Sequence, residues 1–223
     1  QALSRLEKDA VGPLVQALAI QDNAIRQFII NALGEIGYAQ SIPYLRQTAI
    51  DPTSNPETKE ASNRAVARIE QLAGRTFPGS PDELFVRLSE GYYDEDETLR
   101  ADPRLETANI WTWDANAQAL TPIVVPTKVF GPVMAMRAAW QALSHREDND
   151  KGHALWLAAN IRRESRLGLN IESGDPNEKG EVDATRPPNF PRALYFTMAS
   201  GPRFAHQVLG RAVKDADSAV ALV

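Results

Sequence analysis

The chain has 223 residues, enough for one large or two ordinary domains, and 43% of them are apolar, so a real core can be buried. Its 24 basic residues face 29 acidic ones, a formal charge of -5, which argues against a nucleic-acid binder with a basic face. It has no cysteine, which excludes disulfides, thiolate metal sites and cysteine nucleophiles, and no apolar run approaches the ~20 residues that span a bilayer.

Gln1 already lies in a helical pattern, and the chain stops in apolar Ala219–Val223. Both ends are therefore expected to be interior to a longer chain. A soluble protein is expected, with the compartment open between cytoplasm and periplasm.

Helical periodicity starts with Val11, Leu14 and Leu18, and Asp22-Asn23 breaks it and can cap a second helix. Ile25, Phe28, Ile29, Ala32, Leu33 and Ile36 form the apolar stripe that predicts this second helix, ended by Gly37. The unit recurs. Ile42 and Leu45 take the places of Val11 and Leu14, at an offset of 31. Thr58, Ala61, Ala65, Val66 and Ile69 take those of Ile25, Phe28, Ala32, Leu33 and Ile36, at an offset of 33. The longer turn Asp51–Pro56 explains the change of offset, and Gly74 closes the second unit.

The run Ala10–Leu18, the turn Asn23-Ala24-Ile25-Arg26 and the ending Ala32-Leu33-Gly34-Glu35-Ile36-Gly37 resemble a HEAT repeat. The second unit departs from that pattern at Thr48, at Arg68 and in its longer turn. The resemblance covers roughly residues 1–74. It implies a mainly α fold, an α-solenoid of HEAT-type helical hairpins, and a surface that holds other proteins.

Beyond residue 76 the pattern changes. Pro78-Gly79-Ser80-Pro81 is a linker signal, and Ser80-Pro81-Asp82-Glu83 reads as a capping box for a helix through Leu84, Phe85, Leu88 and Tyr92. Residues 109–126 alternate with period two through Ile110, Trp111 and Trp113, which predicts an inserted β-hairpin; Pro122 and Pro126 fit only an edge. Phe130, Val133, Met136, Trp140 and Leu143 form one helical stripe, and Ala154, Leu157, Ala158 and Ile161 another. Within them, Ala139-x-x-Ala142-Leu143 and Ala154-Leu155-x-Leu157-Ala158 resemble a tetratricopeptide hairpin. Residues 172–189 read as a polar loop, and Phe190–Ala199 and Pro202–Lys214 as two helices with Leu194, Met198, Phe204, Val208 and Leu209 inward. Asp217-Ser218 reads as the start of a further repeat. The domain expectation is thus residues 1–76, then 77–171 with the hairpin, the 172–189 loop, and 190–223. Taken whole, the chain resembles a group of bacterial HEAT-repeat proteins.

Chemistry-bearing patterns are sparse. His145, His153 and His206 have no adjacent Glu, so the His-Glu pairs with which some HEAT-type enzymes hold two irons are missing. Asp175–Asp183 resembles part of a calcium loop, but Lys179 spoils the fifth position and Arg186 the twelfth. Arg162-Arg163-Glu164-x-Arg166 reads as an exposed Glu/Arg face, and Asp94–Glu97 as a solvated helix end that can draw a basic partner. No phosphate loop and no nucleophile elbow occurs. No metal and no cofactor is expected.

These readings converge on a non-catalytic repeat scaffold mediating protein–protein interaction. The partner is another protein or the remainder of a parent chain, with no nucleic acid and no membrane span. The alternative is a ligand- or metal-binding module on the helical array. The expected contact residues are Arg26, Gln27 and Asn31 on the first unit, Arg64 and Arg68 on the second, and the aromatic residues Tyr93, Trp111 and Trp113.

Overall fold

A computed structural model describes residues 2–173, 175, 178–181, 183–187 and 189–222, with the backbone alone for residues 2–7. Among these the chain is mainly helical, with ten α-helices and one two-stranded sheet. No described helix is long and apolar enough to cross a membrane. The chain divides into two compact units: residues 1–84 with 110–123, and residues 85–109 with 124–223.

The first unit contains α1 (Ala2–Ala17), α2 (Asn23–Ile36), a 3-10 turn (Ala39–Ser41), α3 (Ile42–Ile50) and α4 (Pro56–Ala73). The start of each second helix is set by its sequence. Asp22 caps α2 by accepting from Ala24 N at 2.8 Å and Ile25 N at 3.1 Å. Asn55 caps α4 by accepting from Thr58 N at 2.8 Å, with Pro56 in the first turn. Gly37 ends α2 at φ 80°, a backbone region that favours glycine, and its N–H donates to Leu33 O.

The core of this unit joins Val11 of α1, Ile30 and Leu33 of α2, Ile42 and Leu45 of α3, and Val66 and Ile69 of α4. The expected inward residues of α4 (Thr58, Ala61, Ala65, Val66 and Ile69) are all buried. The expected stripe of α2 is corrected. Its buried face is Arg26, Ile29, Ile30, Leu33 and Gly34, whereas Phe28 is 74% exposed and Ile25 47%. At about 100° per residue, Phe28 lies roughly opposite Ile30. The apolar stripe shares only Ile29 and Leu33 with the packed face, which is centred about 100° away because α2 packs against both α1 and α4.

The hairpin pairs β1 (Thr107–Asp114) with β2 (Ala119–Pro126). Its first-unit part brings Leu120 onto the core, and Trp111 faces α1 at Gly12, where a Cβ would stand 3.7 Å from the indole Cδ1.

In the second unit α5 (Pro81–Tyr93, of which residues 85–93 belong here), α6 (Thr127–His145), α7 (Asp150–Arg166), α8 (Ala193–Ser200), α9 (Pro202–Lys214) and α10 (Ser218–Ala221) form the body. Buried Ala135, Ala138, Ala139 and Ala142 of α6, with Ala154, Ala158 and Ala159 of α7, make faces of small side chains that let the two helices approach. Trp140, expected in the packed stripe, is instead 62% exposed because the alanines occupy that face. Met198 and Leu209 are likewise outward, whereas Val208 is buried as expected, and Ala193, Thr197 and Ala212 are buried with it.

The expected polar loop returns along α7. Glu181 N donates to Leu167 O at 2.9 Å, and Leu167, Leu169 and Ile171 are buried. Of the calcium-like pattern, Asn177 and Val182 lie outside the described residues. Asp183 is buried at 3.1 Å from the Arg163 guanidinium, so its carboxylate already faces a cation. Among the described residues no group of three His, Asp or Glu side chains is placed to hold a metal ion.

Candidate functional site

The two second helices of the first unit, α2 and α4, lie side by side. Gly34 makes this possible: a Cβ there would stand 3.1 Å from both Cα and Cβ of Ala65. Their packed faces exclude Phe28, Asn31 and Glu35 on α2 and Glu60, Arg64 and Arg68 on α4, all of which are exposed. The result is a mixed surface with one large ring, Phe28, and charged groups of both signs. Arg68 stands 3.9 Å from Glu35 and donates to Gln71 Oε1 at 3.3 Å. Arg64 pairs with Glu60 one turn away. Such exposed pairs contribute little to stability, so their groups can be re-partnered at small cost.

The other expected contact residues are placed differently. Arg26 is buried, and its Nε donates to Ile20 O at 2.9 Å. It ties the turn before α2 to the helix and presents no surface charge. Beside it, hydrogen bonds from the Thr53 N–H and hydroxyl hold the Asp51 carboxyl below its ordinary value, and Arg26 adds to that effect. Gln27 is half-buried and Asn31 exposed. Trp111 and Trp113 are half-buried. Tyr93 is fully buried in the second unit, with the Arg162 guanidinium 3.5 Å above its ring, so it is removed from any exposed aromatic patch.

The Arg162–Arg166 run is also corrected. Arg163 and Glu164 keep only 4% and 1% of their side chains in water, because Asp183 and Arg192 pair with them from the returning segment. Two of the three histidine rings pack on aromatic neighbours, His145 against Phe85 at 5.9 Å and His153 against Phe204 at 5.0 Å, and His206 is exposed. A cavity of about 560 Å³ in the second unit is lined by Glu95, Arg100, Lys128 and Glu181 among others. Glu95 already pairs with Arg166, Lys128 with Glu181 and Arg100 with Glu97.

Residues 1–67 match the family model for HEAT repeats. The match supports a HEAT-repeat protein, and it includes α2 together with most of α4. No curated protein and no solved structure matches the chain. Phe28, the most exposed large apolar side chain of α2, escapes a reading of the sequence because its spacing places it in the apolar stripe. An exposed outlier of that stripe shows itself only once the packed face is known.

Proposed function

We propose that the chain is a non-catalytic scaffold, an α-solenoid segment of HEAT-type hairpins that holds a protein partner on the exposed face of α2 and α4. The single observation that carries this is Phe28, 74% exposed on the second helix of a HEAT hairpin. A ring held outward on a rigid helix buries a large area on contact at low entropy cost, as interface anchors do. Arg64 and Arg68, exposed on α4, supply charge that steers and orients a partner. The ligand-module alternative is less well supported, because the charged groups named in the 560 Å³ cavity already pair with one another.

The test is affinity capture from the source extract with the chain as bait, read by mass spectrometry. A saturable protein partner is expected. Its retention should fall at least ~10-fold with Phe28→Ala, the loss typical of an interface anchor, and clearly with Arg64→Glu. Neither substitution should move the thermal midpoint, since both side chains are exposed. Equal capture by wild type and both variants would remove the α2–α4 face from consideration.

A further inference from the structure

The outer side of α4 carries charge in a fixed order. Glu57, Glu60, Arg64 and Arg68 are all exposed. At about 100° per residue their spacing keeps them within an arc of about 80° on the helix. Thr58, Ala61, Ser62, Ala65, Val66 and Ile69 make the buried side. Both acids precede both bases along the row, and the two groups are centred about 11 Å apart at 1.5 Å per residue. Their present pairings are loose. Arg64 and Glu60 keep 62% and 72% of their side chains in water, and Arg68 stands 3.9 Å from an equally open Glu35. Exposed pairs of this kind exchange partners at small cost.

A row that runs acid, acid, base, base is its own complement when reversed. Against a second copy laid antiparallel, Glu57 falls opposite Arg68 and Glu60 opposite Arg64. Both pairings pivot near Ser62, so a single two-fold axis satisfies the whole row twice over, as an isologous interface requires. A parallel copy would set acid on acid and base on base, which is penalised. Charge alone fixes orientation and contributes little affinity. The apolar area comes from the neighbouring helix: α2 packs beside α4, and its Phe28 is 74% exposed.

We propose that the α2–α4 face takes a second copy of this chain, antiparallel across a two-fold axis, with Glu57 and Glu60 of each copy pairing with Arg68 and Arg64 of the other and Phe28 buried between them. The inference rests on the α2–α4 face being a binding face and names its occupant. Another protein that uses the same face meets it free only below the concentration at which the chain pairs with itself, so chain concentration controls capture.

Sedimentation velocity over a range of chain concentrations tests this. Two charge-swapped chains are compared with wild type: Glu57→Lys with Glu60→Lys, whose row is all basic, and Arg64→Glu with Arg68→Glu, whose row is all acidic. All four positions are exposed, and circular dichroism verifies that both chains keep the fold. Wild type should pair reversibly, and pairing should weaken as salt rises from about 50 to about 500 mM. Each swapped chain alone should pair at least ~10-fold more weakly, and an equimolar mixture of the two should restore a dimer. Wild type that stays monomeric at about 0.1 mM overturns the proposal, as do swapped chains that pair as well as wild type or folded ones whose mixture restores nothing. A monomeric wild type that still captures another protein through Phe28 overturns self-pairing alone and leaves the α2–α4 reading standing. Failure of both measurements removes the face.

Discussion

Glu164 sits at the centre of the second unit's buried ionic network. Arg192 Nε donates to it at 2.8 Å, and the same guanidinium donates to Asp175 O, Asn170 O and Glu178. Burial pulls the Arg192 guanidinium down, and Glu164 and Glu178 more than reverse that pull. At Arg163 burial wins, although Asp183 opposes it. Removing one partner of a buried pair leaves an uncompensated charge, at a cost of about 3–5 kcal/mol. Glu164→Gln should therefore lower the stability of the fold by about 3 kcal/mol in urea unfolding. The double variant Glu164→Leu with Arg192→Met should lose far less than the sum of the single losses. A Glu164→Gln chain within about 0.5 kcal/mol of wild type would show that the pair is not buried as described, since such small changes belong to surface sites. None of this was legible in the sequence. Helical spacing places Arg162, Arg163 and Glu164 on a helix, but the residues that cover them come from 20 or more positions later through an irregular segment with no periodic signal.

At the scale of elements the sequence was far more explicit. Asp22, Asn55, Gly37 and Gly74 each stand where a cap or helix end is needed. The capping box before α5 is formed in one direction: Ser80 N donates to Glu83 Oε2 at 3.1 Å, whereas the Ser80 hydroxyl turns to Asp82. At Gly34 the backbones of α2 and α4 come close, and a Cβ there would stand 3.1 Å from Ala65. Gly34→Val would drive its side chain into Ala65 and is expected to cost about 1–3 kcal/mol as overpacking, despite the poor helix propensity of the glycine it replaces. Asp22→Ala should cost about 1 kcal/mol through the lost cap. Thermal melts of the two variants decide the point: a Gly34→Val chain as stable as wild type would mean that α2 and α4 do not approach at this position. The hairpin was visible because period-two alternation and flanking turn residues are local. The orientation of α2 was not, because two overlapping apolar stripes share Ile29 and Leu33, and packing on both sides chose the one through Ile30.

For the whole molecule, these groups set a pH window. Thr53 holds Asp51 below its ordinary 3.8, and the Asn170 N–H, with Ser173 and Arg192, holds Glu178 below its ordinary 4.5. A carboxyl lowered on folding adds stability that is present at neutral pH and lost as pH falls through and below those values. Tyr93 is the opposite case. Its folded value of about 12 exceeds its ordinary 10.0, so its contribution is complete below pH 10 and is lost as pH rises toward about 12. Thermal midpoints by circular dichroism should therefore form a plateau from about pH 5 to about pH 10 with a decline on either side. Tyr93→Phe should make the alkaline decline shallower. Superimposable alkaline arms for the two proteins would show that the phenol is not held neutral in the fold.

The sequence by itself determined the helical class, the recurrence of the first two hairpins, the positions of their caps and the β-hairpin. All of these are written in patterns shorter than about 40 residues, at the scale of one repeat. Tertiary structure alone decided which face of α2 is free, that Arg26 and Tyr93 are buried, and that Arg163 and Glu164 are sealed under the segment after α7. A periodic pattern records that a helix has an apolar side. Which neighbours cover that side, and which polar groups are carried in with it, depends on contacts between residues far apart in the chain.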